Sequence, residues 1–331
     1  MLFRSARRPD PRRWVRALLD CPVQTRVHLE ATFGASGKAW ADDVTDLLRA
    51  CCKRWRLEPI QWLAGGLKQN LVLEVKVDGC PAILKLGYPD ADQLSERQWL
   101  LAQPESCCAN LLDDLEDPVV LLIERVMPGS PLVDAIRGEG WTIDRHRELA
   151  PLLSACMHDA SRAIEAASYD HLLARVLENP SQALPRELRD CVSDAQNMLV
   201  DLNSGPMGES RWLHGDLHAG NILWDETIPA WRAIDPKGYV GPAVMNVGRY
   251  LHNFLAEELT GRGEDRATPA QVALCEARAQ VLAKSLDAPY QTLLKATLVD
   301  LTLSTAWHVQ SEGMTVWERV RALLDGLRDR C

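Results

Sequence analysis

Residues 214–238 constrain this chain more than any other stretch. They open with His214-Gly215-Asp216-Leu217-His218-Ala219-Gly220-Asn221 and place Asp235, fourteen residues past Asn221, inside Ile234-Asp235-Pro236-Lys237-Gly238. Asp216, Asn221 and Asp235 carry hard oxygen atoms of the kind that serve chemistry at a phosphoryl group: one carboxylate to receive a proton, one amide and one carboxylate to hold a divalent cation. Two short apolar runs, Ile222-Leu223-Trp224 and Trp231-Arg232-Ala233-Ile234, enclose the polar Asp225-Glu226-Thr227-Ile228-Pro229. That pattern predicts a β-hairpin. Such a hairpin would return the chain so that Asn221 and Asp235 face one metal site. The plainer alternative is a surface His-x-Asp loop that matches by chance.

The octet fits the catalytic loop of kinases, H-x-D-L-x-x-x-N, in which the Asp takes the acceptor proton and the Asn binds magnesium. Upstream, Ile60 to Leu63, Leu71 to Val77 and Ala82 to Leu86 read as strands, with a tight turn at Asp78-Gly79. Gly65 and Gly66 precede the second strand, where glycines let backbone N–H groups approach phosphates. Lys85 lies inside an apolar strand, where an unpaired ammonium is costly; an edge lysine turned to water is the plainer reading. The next helix starts near Pro89-Asp90, and Glu96 on it is the expected partner of Lys85, with Asp92 and Glu105 as rivals. Val119 to Ile123 is a buried-type strand running into Glu124-Arg125-Val126-Met127-Pro128-Gly129. This suits a hinge at which backbone groups of Glu124, Val126 and Met127 face adenine.

The rest of the chain is helical in pattern. Apolar positions recur at helical spacing over Ala39–Trp55 (after a loop marked by Gly34 and Gly37), Ala150–Ala167, Pro185–Leu202 and Val244–Leu259, with further helices over 270–286, 293–310 and 316–328. At 331 residues two lobes are expected. The net charge of −9 argues against nucleic acid as a partner. No apolar run approaches the roughly 18 residues of a membrane span. The start is rich in arginine but has no apolar core of a secretion signal after it. Ten cysteines, two pairs of them adjacent and none in a C-x-x-C spacing, are expected as reduced thiols in a cytoplasmic protein.

Several blocks together resemble the aminoglycoside/hydroxyurea antibiotic resistance kinase family. They are Leu63 to Gly66 with Asn70 to Val75, Pro81 to Gly87, Leu122 to Arg125, Trp212 to Asn221, and above all Ala233-Ile234-Asp235-Pro236-Lys237-Gly238. The resemblance spans roughly residues 25 to 260. It implies an α+β, bilobal, protein-kinase-like fold: an antiparallel-sheet N-lobe with a helical extension over 1–126 and a mainly helical C-lobe over 127–331. It implies an ATP-dependent O-phosphotransferase using Mg2+ and acting on a small-molecule hydroxyl, of an aminoglycoside-type antibiotic or of hydroxyurea. Asp216 would orient and deprotonate the acceptor, Asn221 and Asp235 would hold the metal, and Lys85 with Glu96 would bind the α/β-phosphates. His218, standing where many kinases have a lysine, would contact the γ-phosphate, and His214 would brace the loop. Asn246 stands where the family usually has an Asp. Glu257, Glu258 and Asp265 are candidate acceptor carboxylates. The alternatives are a choline, homoserine or fructosamine type of metabolic kinase, and a nucleotide-binding pseudokinase scaffold.

Overall fold

The computed structural model describes residues 20–63, 70–102, 107–138, 141–164, 166–178, 184–252 and 269–331. The chain falls into two compact units, Met1–Arg97 with Asn110–Arg125, and Gln98–Ala109 with Val126–Cys331. Segment 98–109 thus groups with the second unit, although it precedes residue 126.

In the first unit a long helix, α1 (Val23–Arg54), lies on a five-stranded sheet. The helical run begins well before the expected Ala39, but it is two segments that meet at a kink at Gly34, one of the two glycines expected to mark a break. The fold-back is sharp enough for Arg26 to donate to the Ala41 carbonyl at 2.9 Å. Only Gly34 leaves the helical conformation, at φ 62°, a backbone state that glycine adopts at little cost. Gly37 sits inside the helical span. The missed first half is held by the same force as the second: Leu29 is buried with Ala41, Val44, Leu48 and Cys51 against the sheet.

The sheet runs in the order β1-β2-β3-β5-β4, all antiparallel, from β1 (Leu57–Trp62), β2 (Asn70–Val77), β3 (Cys80–Gly87), β4 (Leu111–Glu116) and β5 (Val119–Glu124). Asp78 and Gly79 both take positive φ, 48° and 86°, which is the turn that matches strand twist in a two-residue hairpin. The period of two sends Leu71, Leu73, Val75, Ala82, Leu84, Leu86, Val120 and Leu122 into the core under α1. Lys85, whose neighbours across the sheet are Val72 and Leu121, therefore belongs to the opposite face. Strand β4 lies where no element was expected. Its acids find partners within the unit: Asp113 accepts from Trp55 Nε1 at 2.7 Å, and Asp114 pairs with Arg97. Helix α2 (Ala91–Ala102) follows β3 and brings Glu96 to this unit.

The second unit combines helices with two small antiparallel sheets. One is β10-β9-β6, from β6 (Pro128–Pro131), β9 (Ile222–Asp225) and β10 (Ala230–Ala233). The other is β11-β8-β7, from β7 (Met157–Asp159), β8 (Ser210–Leu213) and β11 (Tyr239–Pro242). The helices are α3 (Leu132–Arg137), α4 (Ala150–Ala155), α5 (Tyr169–Glu178), α6 (Arg186–Ser204), α7 (245–252 of the described residues), α8 (Pro269–Leu286), α9 (Tyr290–Glu312) and α10 (Thr315–Arg328). Helix α9 is buried nearly all round and packs against α5, α6, α8 and α10, as expected of a helix apolar on every side. Its hydroxyls bond back to its own carbonyls, Thr297 to Leu293 at 2.8 Å and Thr305 to Leu301 at 2.6 Å.

The helix expected over 150–167 stops at Ala155. Residues 157–159 pair instead with β8, Met157 opposite Leu213 and His158 opposite Trp212. No Pro or Gly lies between 152 and 159 to break the helix; the edge of β8 offers those backbone groups another set of partners and wins. Helix α5 fills a region for which no element was expected. Among the described residues no helix is long and apolar enough to cross a membrane, and all ten cysteines are free thiols.

Candidate active site

The two segments singled out by sequence have one topological role. Residues 214–221 lead from β8 to β9, and residues 234–238 lead from β10 to β11, so both connect the same two sheets. The hairpin between them forms as expected, Ile222 opposite Ala233 and Asp225 opposite Ala230. Its turn is locked by the Asp225 carboxylate, which accepts from Thr227 N–H at 2.9 Å and from the buried Arg232 at 3.1 Å.

His214 ties the segments together. Its carbonyl accepts the N–H groups of Lys237 at 2.7 Å and Gly238 at 3.1 Å. Its ring Nε2 lies 3.0 Å from the Ile234 carbonyl, and its Nδ1 accepts from Asp216 N–H at 3.3 Å. The proton therefore sits on Nε2. Complete burial pushes the ring's pKa down to about 4, so it stays neutral. His214 thus braces the loop.

Asn221 is joined to the second segment by the N–H of Ile234, which donates to its carbonyl at 2.9 Å. Its amide nitrogen donates to the Asp216 carbonyl at 3.0 Å, which leaves the amide oxygen as the atom suited to a cation. Asp235, next along from Ile234, has φ 62°, a left-handed conformation uncommon outside glycine. One amide oxygen and one carboxylate are a fitting donor set for Mg2+, which keeps its remaining positions for phosphate oxygens and water.

Asp216 is not a lone carboxylate. Its Oδ1 accepts from Arg249 Nη2 at 2.5 Å and from Arg249 Nε at 3.0 Å. Each side chain is 16% exposed. Burial alone would raise the carboxyl's pKa, but the Arg249 guanidinium, with Lys237, outweighs it and holds Asp216 well below the usual carboxylate range. Behind Arg249, its Nη1 reaches Asp300 at 3.3 Å, and Asp300 accepts from Tyr169 at 3.2 Å and stands 3.1 Å from His252 Nδ1. Arg249 and His252 come from α7, Asp300 from α9 and Tyr169 from α5. Gly248 lets α7 approach α9: a Cβ there would stand 2.5 Å from the Ala296 carbonyl oxygen.

His218 caps the short turn that follows it, its Nδ1 accepting from Gly220 N–H at 3.0 Å, and its Nε2 lies 4.0 Å from Asp216 Oδ1. Burial lowers its pKa despite the nearby carboxylate. It therefore presents a neutral Nε2–H rather than a cation. Asn246 does not reach the catalytic loop itself. Its amide nitrogen donates to the carbonyls of Cys156 at 2.7 Å and Leu153 at 3.4 Å, and Cys156 in turn accepts the N–H of His214. An Asp could not donate these bonds.

In the first unit Lys85 Nζ sits 2.7 Å from both carboxylate oxygens of Glu96, with the two residues 5% and 3% exposed. Asp92 and Glu105 do not take this place: Asp92 is an exposed residue in the first turn of α2, and Glu105 falls outside the described residues. The Glu124 N–H is taken by the Asn110 carbonyl, and in the second unit the Met127 carbonyl accepts from Glu226 N–H, while Val126 is buried. Gly65, Gly66, Glu257, Glu258 and Asp265 lie outside the described residues.

Sequence reasoning missed Arg249, Asp300, Tyr169 and His252 as a group. A signal was present: Arg249 is the only charged residue between Pro242 and Leu251, and Asp300 the only one between Ala296 and Trp307. A single charge in an otherwise uncharged helical run needs a partner.

Known proteins resemble this chain in sequence and in fold. A hydroxyurea phosphotransferase from Kitasatospora aureofaciens is 29% identical over 265 residues, covering 78% of this chain and 76% of its own. A streptomycin 6-kinase from Streptomyces griseus is 26% identical over 286 residues, covering 85% and 88%. Among solved structures, a choline kinase from Streptococcus pneumoniae superimposes with a TM-score of 0.57 at 13% identity over 86% of this chain and 99% of that one, a likeness of fold. The sequence profile of the aminoglycoside/hydroxyurea antibiotic resistance kinases matches residues 54–312, and the chain belongs to that family.

Proposed function

We propose that this enzyme, an ATP-dependent small-molecule phosphotransferase, uses Asp216 to orient the acceptor hydroxyl and receive its proton, and takes an aminoglycoside of the streptomycin kind or hydroxyurea as acceptor. The observation that carries the site assignment is the knot at His214. It holds the Asp216 loop and the Asp235 segment by backbone bonds, so the three oxygen-bearing side chains cannot drift apart. A carboxylate held as an anion by Arg249 is a weak base. Its contribution is therefore to aim the acceptor oxygen, with the proton arriving late, which suits a loose phosphoryl-transfer transition state. Asn221 and Asp235 would hold Mg2+, which when bound neutralises charge on the phosphates. Lys85, fixed by Glu96, supplies a second positive charge for the phosphates, and His218 offers a neutral N–H donor. The free cysteines fit a cytoplasmic location.

The test is ATP turnover with Mg2+ in the presence of streptomycin, hydroxyurea or choline. The reading expects one of the first two to raise turnover well above the rate with water alone. Stimulation by choline alone would move the enzyme to the metabolic alternative. Tight ATP binding with no turnover under any condition would leave the scaffold reading.

A further inference from the structure

We propose that Arg249 is a positioning residue for this reaction, fixing the rotation of the Asp216 carboxylate so that Oδ2 is the oxygen presented to the acceptor hydroxyl. The inference rests on the reading of Asp216 as the group that meets that hydroxyl.

The terminal torsion of an aspartate is broad and roughly two-fold, so a carboxylate on a loop has no preferred face of its own. Here both guanidinium hydrogen bonds, from Nε and Nη2, converge on Oδ1. The guanidinium is itself held: Nη1 bonds Asp300 Oδ2, Asp300 Oδ1 takes the hydroxyl of Tyr169, and His252 Nδ1 meets Oδ2. The chain of contacts runs from two helices, α5 and α9, through α7 to the loop. Each link is either buried or nearly so.

Merely neutralising a buried acid would not require this arrangement. One lysine could supply the charge, and a second buried carboxylate at Asp300 adds a desolvation cost that a stability device would avoid. What the arrangement adds is direction. The planar fork cannot rotate without breaking its bond to Asp300, and Asp216 cannot rotate without leaving the fork. Positioning of this kind is where a misplacement of about 1 Å costs on the order of 10²-fold in rate.

Four variants decide it: Arg249→Gln, Arg249→Lys, Asp216→Asn, and Arg249→Gln combined with Asp216→Asn. ATP turnover is followed with streptomycin, hydroxyurea and water as acceptors, together with the Kd for Mg·ATP. Arg249→Gln should lower kcat by about 10²-fold while Mg·ATP affinity changes by less than about twofold. Arg249→Lys keeps the charge and so the fold, but not the fork, and should recover only part of that loss. In the double variant the Arg249 change should cost nothing beyond Asp216→Asn alone, because a residue that acts through Asp216 has nothing left to act on. Additive losses, or an Arg249→Lys enzyme with unchanged kcat, would overturn the proposal and leave Arg249 a structural ion pair. Full turnover in Asp216→Asn would overturn both this proposal and the role of Asp216. Slow Asp216→Asn with unimpaired Arg249 variants would overturn this one alone.

Discussion

Removing the Lys85–Glu96 pair in two ways separates what it does for stability from what it does for turnover. Both groups are almost fully buried, at 5% and 3% exposure, and the ammonium contacts both carboxylate oxygens at 2.7 Å. Lys85→Met leaves the Glu96 carboxylate in that site without its cation, a situation that costs about 3–5 kcal/mol. Lys85→Met with Glu96→Leu removes both charges and fills the space with apolar atoms, which is commonly neutral or stabilising by about 1–4 kcal/mol. Hydrogen exchange of peptides covering Cys80–Gly87 and Val119–Glu124, the strand of Lys85 and its neighbour, reads the first unit by itself. At about 1.4 kcal/mol per decade, the single variant should open these strands about 10²–10⁴-fold more often, and the double variant no more often than the native chain. Both should lose turnover with ATP. If the double variant opens as readily as the single, the pair is a structural element and the argument from desolvation fails. If the double variant turns over normally, Lys85 has no part in phosphate binding.

Asp216→Ala should lower turnover by about 10²–10⁴-fold, roughly 3–5 kcal/mol of barrier, with nucleotide affinity little changed; near-native turnover would remove Asp216 from the mechanism. Asp235→Asn should keep the fold but weaken Mg·ATP binding, since a neutral amide is a poor substitute for a carboxylate at a hard cation. Thermal-shift titration checks it: native protein should be stabilised by ATP with magnesium more than without, the variant equally little in both, and equal stabilisation of the native protein would count against the site. Stability should also fall on mild acidification. Burial, the largest cause in each case, lowers the pKa of His146 to about 3 and of His158 and His214 to about 4. Each is neutral when folded but takes a proton at about 6.5 once unfolded, so the stability it contributes is present above that pH and is lost as pH falls towards 4. The slope is at most about 1.4 kcal/mol per pH unit and group. A urea midpoint that stays constant from pH 7 to 5 would refute this.

Strand and helix patterns were legible where a single face is buried. In β2 and β3 the alternation that hides Leu71, Leu73 and Val75 also predicts on which side Lys85 must lie, and Asp78-Gly79 names its own turn. The helix beginning at Arg186 shows the same legibility at a period of 3.6, with Leu188, Cys191, Val192, Ala195, Leu199 and Leu202 all buried. The pattern failed where two structures satisfy the same residues. The run from Leu152 to Ala160 has a helix's spacing, yet its backbone after Ala155 pairs with β8, a partner some fifty residues away that no local period reveals. Strand β4 carried no expectation: its acids blur the strand alternation, and in the structure Trp55 meets Asp113 and Arg97 meets Asp114.

The site divides along the same line. Asp216, Asn221 and Asp235 stand out because their spacing is set by local geometry, a loop and a hairpin whose ends are tied together by backbone bonds at His214 and Asn221. Arg249 and Asp300 answer to no spacing at all, being 33 and 84 residues from Asp216 in the chain. What marks them is cost. A cation in the apolar stripe of α7 and an anion in the largely buried α9 each lower stability unless they meet, and they meet beside the Asp216 carboxylate. The same reasoning covers Asn246. Its amide nitrogen donates to two carbonyls at the end of α4, bonds that an ionised aspartate could not make, while its Oδ1 is buried with no hydrogen-bond partner among the described residues.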